Sequence, residues 1–144
     1  MIFSGIDTMA YLNMPANQQD VERTDFVAWV ERYIKFQCEE KLTGLDLYGA
    51  RCAMLHNHGA RSKLSRNGKC RMVCYMNQGV PEIRCKPDVM DCIIVSVTAL
   101  ADAFFHGIDE FLVDLFANKQ KAAVAEERLR ELMMEYHQEN AWFK

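Results

Sequence analysis

The chain has 144 residues, half of them apolar or aromatic and 26% charged, with a formal net charge of −3. That describes one globular domain, able to bury roughly 68–70% of the surface its unfolded chain exposes. Seven Gly and three Pro are too few for a turn-dense sandwich or barrel, and the apolar content excludes a disordered chain or a collagen-like repeat.

Residues 1–16 mix apolar and polar positions without a clear period, as a short helix or a strap across the core would, and Pro15 ends them. From about 18 to 41, Phe26, Val27, Val30, Tyr33, Ile34, Cys38 and Leu42 recur at three and four, the spacing of an amphipathic helix with one core face. Thr43-Gly44-Leu45-Asp46 carries a helix-start signal, with Thr43 as N-cap and Asp46 three residues on. A second helix then runs to about His58, with Leu45, Tyr48, Cys52 and Leu55 as its apolar stripe and Gly59 as its stop.

Residues 60–69 read as a polar, basic loop. Cys70–Met76 suits a strand, Asn77-Gln78-Gly79 a turn, and Val80–Cys85 a returning arm, so a small hairpin is expected there, with Pro81 pushing the second arm to an edge. Pro87-Asp88 opens the most apolar helix, Val89–Phe116. It is apolar on most of its circumference, which predicts a place at the bundle's centre, with a bend at Gly107. Its polar interruptions exclude a membrane span. A last helix covers about 119–140, with Val124, Leu129, Leu132, Met133 and Tyr136 inward. The fold expected is a mainly α, single-domain bundle of four to five helices over 1–144, with a small β-hairpin insertion.

Six cysteines are present, Cys38, Cys52, Cys70, Cys74, Cys85 and Cys92. The opening residues lack a basic start and a long apolar run, so reduced thiols in a cytoplasmic setting are expected. Cys70, Cys74, His56 and His58 make a conceivable zinc set, but their spacing fits no standard structural site and no C-x-x-C pair is present. No metal and no cofactor are expected. The bland reading of the cysteines is small buried apolar residues.

The net charge hides an asymmetry. Between Arg51 and Lys86 eight basic residues face the single acid Glu82, a net of +7 that leaves −10 for the rest. Such a split suggests an anionic partner, nucleic-acid phosphate above all. A solvated loop is the alternative.

No Gly-rich phosphate loop, G-x-S-x-G, H-E-x-x-H or EF-hand signature occurs. One constellation remains: Arg51 and His56 in R-x-x-x-x-H spacing, followed by Asn57 and His58. It joins a permanent cation to a group that titrates near neutrality. RNA phosphodiester transfer needs a base for the 2′-OH, an acid for the leaving 5′ oxygen and a cation for the phosphorane. On a straight helix Arg51 and His56 lie about 140° apart, whereas His58 lies about 20° from Arg51. The structural alternatives are an ion pair between Arg51 and a carboxylate such as Asp46, and His56 capping its own helix. His106, in a very apolar helix, reads as a hydrogen-bonded core histidine, and His137 as solvated.

Leu47-Tyr48-Gly49-Ala50-Arg51-Cys52-Ala53-Met54-Leu55-His56, followed by Leu64-Ser65-Arg66-Asn67-Gly68-Lys69-Cys70-Arg71, resembles the HEPN superfamily, and within it small bacterial members with an Ala-Arg-Cys…Leu-His helix and a basic loop. The likeness is specific over about 43–76. It implies an all-α bundle that dimerises with the Arg51–His56 helices near a two-fold axis. It also implies a metal-independent endoribonuclease in a toxin–antitoxin, phage-defence or RNA-processing setting, with RNA as substrate and an antitoxin as one partner. Arg51 and His56 would be catalytic, Asn57 and His58 supporting, and Arg61, Lys63, Arg66, Lys69 and Arg71 would hold the RNA backbone. The chain departs from active members at the second motif position, where Cys52 stands in place of Asn, Asp or His. The alternatives are therefore a non-catalytic module for dimerisation or for binding RNA, a nucleotide or a protein, and a structural or regulatory helical protein. No membrane partner is expected.

Overall fold

A computed structural model describes residues 1–36, 41–57, 59–77, 83–85 and 92–133, with backbone alone at 56–57 and 83–85. Among them α1 (Ile2–Asn13), α2 (Arg23–Tyr33), α3 (Gly44–Asn57), the one-turn α4 (Lys63–Arg66), α5 (Val97–Ala117) and α6 (Lys119–Met133) form a bundle. The strands β1 (Met72–Met76), β2 (Ile83–Cys85) and β3 (Cys92–Ser96) form a small sheet beside it. The fold is thus mainly α with a small β insertion, as expected. No helix of the described residues is long and apolar enough to cross a membrane.

The first segment is a helix, burying Phe3, Ile6, Ala10 and Leu12. Helix α2 starts at a reciprocal cap, Glu22 accepting at its side chain while its backbone N–H donates to Asp25 Oδ2 at 2.8 Å. It buries Phe26, Val30 and Tyr33, and also Trp29, which the spacing argument had left out. Trp29 sits among Tyr33, Phe104 and Phe111 with ring centroids 5.3–6.2 Å apart, the aromatic centre of the core. Residues 37–40, Cys38 included, lie outside the described residues.

The insertion departs from a simple hairpin. The strand order is β1-β3-β2, with β1 parallel to β3 and β2 antiparallel to it. Residues Cys92–Ser96, expected as the first turns of the long helix, are instead the central strand, and α5 begins only at Val97. Ile93, Ile94 and Val95 are three β-branched residues in a row, and Ile93 and Val95 are fully buried. Stiff at χ1, they suit a strand covered on both faces better than a helix start. Ser96 makes the switch: its Oγ accepts from Ala99 N at 3.3 Å and caps α5. The edge position of the second arm is as expected for β2. Pro81 and residues 86–91 lie outside the described residues.

Helix α5 runs without interruption through Gly107. Its glycine serves close approach: a Cβ there would stand 2.9 Å from the Tyr33 carbonyl oxygen, where α5 crosses the end of α2. His106 is 67% exposed, 4.0 Å from Glu110, and not a core histidine. The core takes the Phe104–Gly107–Phe111 side of α5 and leaves His106 on the flank. In α6 the inward residues are Ala125 and Arg128, while Leu129, Leu132 and Met133 are exposed. Arg128 fixes that register by reaching the end of α1, donating to the carbonyls of Tyr11, Met14, Pro15 and Gln18 at 2.5–3.1 Å. Tyr136 and His137 lie outside the described residues.

Candidate functional site

Helix α3 starts as its sequence signal predicts. Thr43 N donates to Asp46 Oδ2 and Asp46 N to Thr43 Oγ1, both at 3.1 Å. Its buried face is a different one. Leu47, Ala50 and Ala53 are inward with Asp46, whereas Tyr48 and Cys52 are half-buried and Leu55 is exposed. Small Ala side chains let α3 lie close to its neighbours, and this turns the more conspicuous Tyr48–Cys52 stripe sideways. Tyr48 then rests edge-on against Phe26, centroids 5.4 Å apart.

That sideways stripe is the floor of a cleft of about 520 Å³. Tyr48, Cys52 and Leu64 line it, with Arg23 and Thr24 from the start of α2 and Lys63 and Arg66 from α4 around them. Glu22 is the acid at its rim. The segment expected as a basic loop thus contains the one-turn helix α4. Ser62, 1% exposed, caps α4 by accepting from Ser65 N at 3.2 Å, and Ser62 N donates to Ser65 Oγ at 3.0 Å. Gly68, at φ +66°, follows α4 in the left-handed region. The segment is clamped to α3 at Gly49, where Cys70 Sγ occupies the space a Cβ would need. Lys63 and Arg66, three apart, thus face the same cleft as Tyr48.

Arg51 stands beside this floor. Its Nε donates to Asp7 Oδ2 at 2.9 Å, and its guanidinium carbon lies 5.7 Å from the Tyr48 ring centroid. Burial acts to lower the Arg51 pKa, but the Asp7 bond and charge outweigh it and the net shift is upward. The Tyr48 hydroxyl is raised, first by burial and then by Cys52. Asn57 closes α3, one residue after His56, but the side chains of His56 and Asn57, and all of His58, lie outside the described residues.

The carboxylate that sequence paired with Arg51 belongs to Arg71. Asp46, 2% exposed, accepts from Arg71 N at 2.8 Å, Nε at 3.2 Å and Nη2 at 2.7 Å. Arg71 Nη2 also donates to the Lys41 carbonyl at 2.5 Å. Burial pushes the Asp46 carboxyl up, the Arg71 and Thr43 hydrogen bonds push it down further, and it ends below the usual carboxylate value. Arg71 therefore ties α3 to β1. Arg61, Lys63, Arg66 and Lys69 are exposed, and Arg66 Nη1 donates to the Arg61 carbonyl at 3.4 Å.

Arg23, Tyr48 and Asp7 escaped the sequence argument. Arg23 is a lone cation among Asp20, Glu22 and Asp25, so no charge window singles it out. Tyr48 passed for core, and nothing local links Asp7 to a residue 44 positions on. Of the zinc set, Cys70 packs against Gly49, and Cys74 lies on β1 with its thiol pKa raised by burial and by Cys92. Among the described residues no group of three or more His, Cys, Asp or Glu is placed to hold a metal.

Compared with protein-family models, curated proteins and solved structures, the chain matches none of them.

Proposed function

We propose that this chain is a HEPN-like RNA-binding protein that takes single-stranded RNA in the cleft between α2, α3 and α4. The observation that carries the reading is the lining of that cleft: Arg23, Lys63 and Arg66 surround the half-buried ring of Tyr48. Cations at the rim suit backbone phosphates, and an aromatic ring on the floor suits a base that stacks against it. Lys69 and Arg61, exposed beside α4, extend the positive surface along a strand. Fluorescence anisotropy with a labelled RNA oligonucleotide tests this. Affinity should fall steeply with salt, because each neutralised phosphate releases counterion. Changing Arg23, Lys63 and Arg66 together to Ala should flatten that dependence while helical content stays unchanged. RNA affinity unmeasurable even at low salt would end the proposal.

A second reading adds cleavage, and the position of Arg51 favours it. Its guanidinium carbon lies 5.7 Å from the centroid of the Tyr48 ring, which lines the cleft, so a permanent cation stands beside the cleft where it could stabilise a bound phosphate. In this reading His56 takes the 2′-OH proton as that oxygen attacks the neighbouring phosphorus, Arg51 stabilises the phosphorane, and the P–O5′ bond breaks as the protonated His56 returns the proton to the departing 5′ oxygen. Cleavage would proceed in EDTA and leave a 2′,3′-cyclic phosphate. His56→Ala would slow it roughly 10²–10⁴-fold, and a 2′-deoxy substitution at the cut site would abolish it. RNA bound but cut by no form leaves the binding module alone.

A further inference from the structure

The small sheet has two faces, and they differ in chemistry. Val73 of β1 and Ile93 and Val95 of β3 belong to the hydrophobic core. The register sets Met72 beside Cys92, Cys74 beside Ile94 and Met76 beside Ser96, and alternation along the strands places these six on the other face. Met72 and Cys92 are buried and Cys74 is half-buried. Neighbouring strands stand about 4.8 Å apart, and residues two apart on one strand about 6.6 Å. Met72, Cys74 and Cys92 therefore mark the corners of a small triangle of sulfur-bearing side chains. Cys74 and Cys92 are both thiols, and they interact. Burial first, then the charge of Cys92 and a hydrogen bond with it, raise the Cys74 pKa. Of the six side chains the one with an oxygen is Ser96, and its Oγ is engaged, accepting from Ala99 N at 3.3 Å.

We propose that Met72, Cys74 and Cys92 form a binding site for one soft monovalent metal ion, copper(I), held by two thiolates and a thioether. The donor set selects the metal. Thiolate and thioether sulfur suit copper(I), whereas calcium, magnesium and manganese take oxygen ligands. A structural zinc takes four ligands drawn from thiolate, imidazole and carboxylate, and two thiols with a thioether do not complete that set. Binding is a proton exchange without a change of oxidation state. Copper(I) displaces the protons of Cys74 and Cys92 to solvent, forms a bond to each sulfur, and takes the Met72 sulfur as a neutral third donor. The ion also resolves the conflict between the two thiols. Each thiolate opposes ionisation of the other, and a cation shared by both stabilises the doubly ionised pair. The site shares no residue with the cleft between α2, α3 and α4, and it does not rest on the RNA reading.

Anaerobic titration of the reduced chain with copper(I) against bicinchoninate, a chromophoric copper(I) chelator, tests the proposal. A variant with Cys38→Ser, Cys52→Ser, Cys70→Ala and Cys85→Ser retains this pair alone and should still withhold one copper(I) per chain from the chelator. In that background Cys74→Ser or Cys92→Ala should weaken binding by more than about 100-fold, beyond the roughly 10–100-fold of a change outside the ligands. Met72→Leu should weaken it about tenfold, and Met76→Leu, on the same face but outside the triangle, should leave it unchanged. Far-UV circular dichroism checks that each variant folds. A second measurement uses the native chain: one equivalent of copper(I) should shield Cys74 and Cys92 from alkylation ahead of the other four cysteines, as mapped by peptide mass spectrometry. A native chain that yields its copper to the chelator would overturn the proposal. So would shielding of other cysteines in place of this pair, or unchanged affinity in Cys74→Ser. Zinc held as tightly as copper(I) would overturn the selection argued from the thioether.

Discussion

Arg51 on α3 is held by Asp7 on α1 through a single Nε–carboxylate bond of 2.9 Å. The motif arginine is therefore neutralised on one side while its guanidinium touches the Tyr48 ring on the other. Asp7→Asn should unmask that charge. Affinity for RNA should rise about two- to fivefold at low salt, and the salt slope should steepen by about one. Arg51→Ala should move both quantities the other way. Because both side chains are about a quarter exposed, the loss of stability should stay below about 1 kcal/mol. Anisotropy titrations unchanged in both variants would detach Arg51 from the cleft.

The basic residues of the segment should separate into two classes. Arg23→Ala, Lys63→Ala and Arg66→Ala should each reduce the slope of log affinity against log salt by about one, with melting temperature unchanged. Arg71→Gln should do the reverse, leaving the slope alone in the folded protein and lowering stability, because its charge is engaged with Asp46. Should Arg71→Gln flatten the slope as much as Lys63→Ala, this division is wrong.

Acid should loosen the α3–β1 junction. Asp46 titrates below its ordinary value of 3.8, so its native pKa lies under its unfolded one. The stability it contributes is fully present above the unfolded value and is lost as pH falls through the native one. Asp46→Asn should cost about 3–5 kcal/mol at neutral pH by leaving Arg71 uncompensated. It should also flatten the decline of stability as pH falls through and below the ordinary carboxylate range. Urea midpoints measured across that range for both proteins provide the check, and parallel acid limbs would refute the assignment.

Arg128 closes α1 from α6. It is 7% exposed and donates to the carbonyls of Tyr11, Met14, Pro15 and Gln18 at the helix end and the following turn, where Tyr11 and Pro15 also accept from the backbone N–H groups of Met14 and Gln18. Arg128→Met keeps the bulk of the side chain and removes the donors. It should lower unfolding free energy by about 2–4 kcal/mol, and Arg128→Lys should recover only part of this, since an ammonium cannot reproduce the planar fork. Equilibrium denaturation distinguishes these outcomes, and a Lys variant as stable as the native chain would contradict the geometric argument.

The elements legible in the sequence are those decided within a few residues. The Thr43–Asp46 cap, the strand at Met72–Met76 and the helical course of α2 and α5 follow from local hydrogen bonding and side-chain shape. The concentration of positive charge before Lys86 was likewise readable, and part of it lies at the cleft. Cys92–Ser96 was misread because three β-branched residues ahead of an apolar helix satisfy a helical period as well as a buried strand. Which reading wins depends on whether β1 and β2 are there to pair with it.

Which face each helix buries, and which acid each arginine meets, were decided by packing. Leu47, Ala50 and Ala53 displaced the Tyr48–Cys52 stripe from the core of α3 because small residues allow close helix approach, and that displacement created the cleft. Arg51 found Asp7, 44 residues upstream, while Asp46 went to Arg71, 25 residues downstream. Sequence spacing carries no information about such pairs, since their distance is set by how α1, α3 and β1 lie against one another. The second apolar side of α5 shows the same division. Its hydrophobicity is written in the residues, but only the packing of α1, α2 and α6 determines which side of α5 the described residues bury.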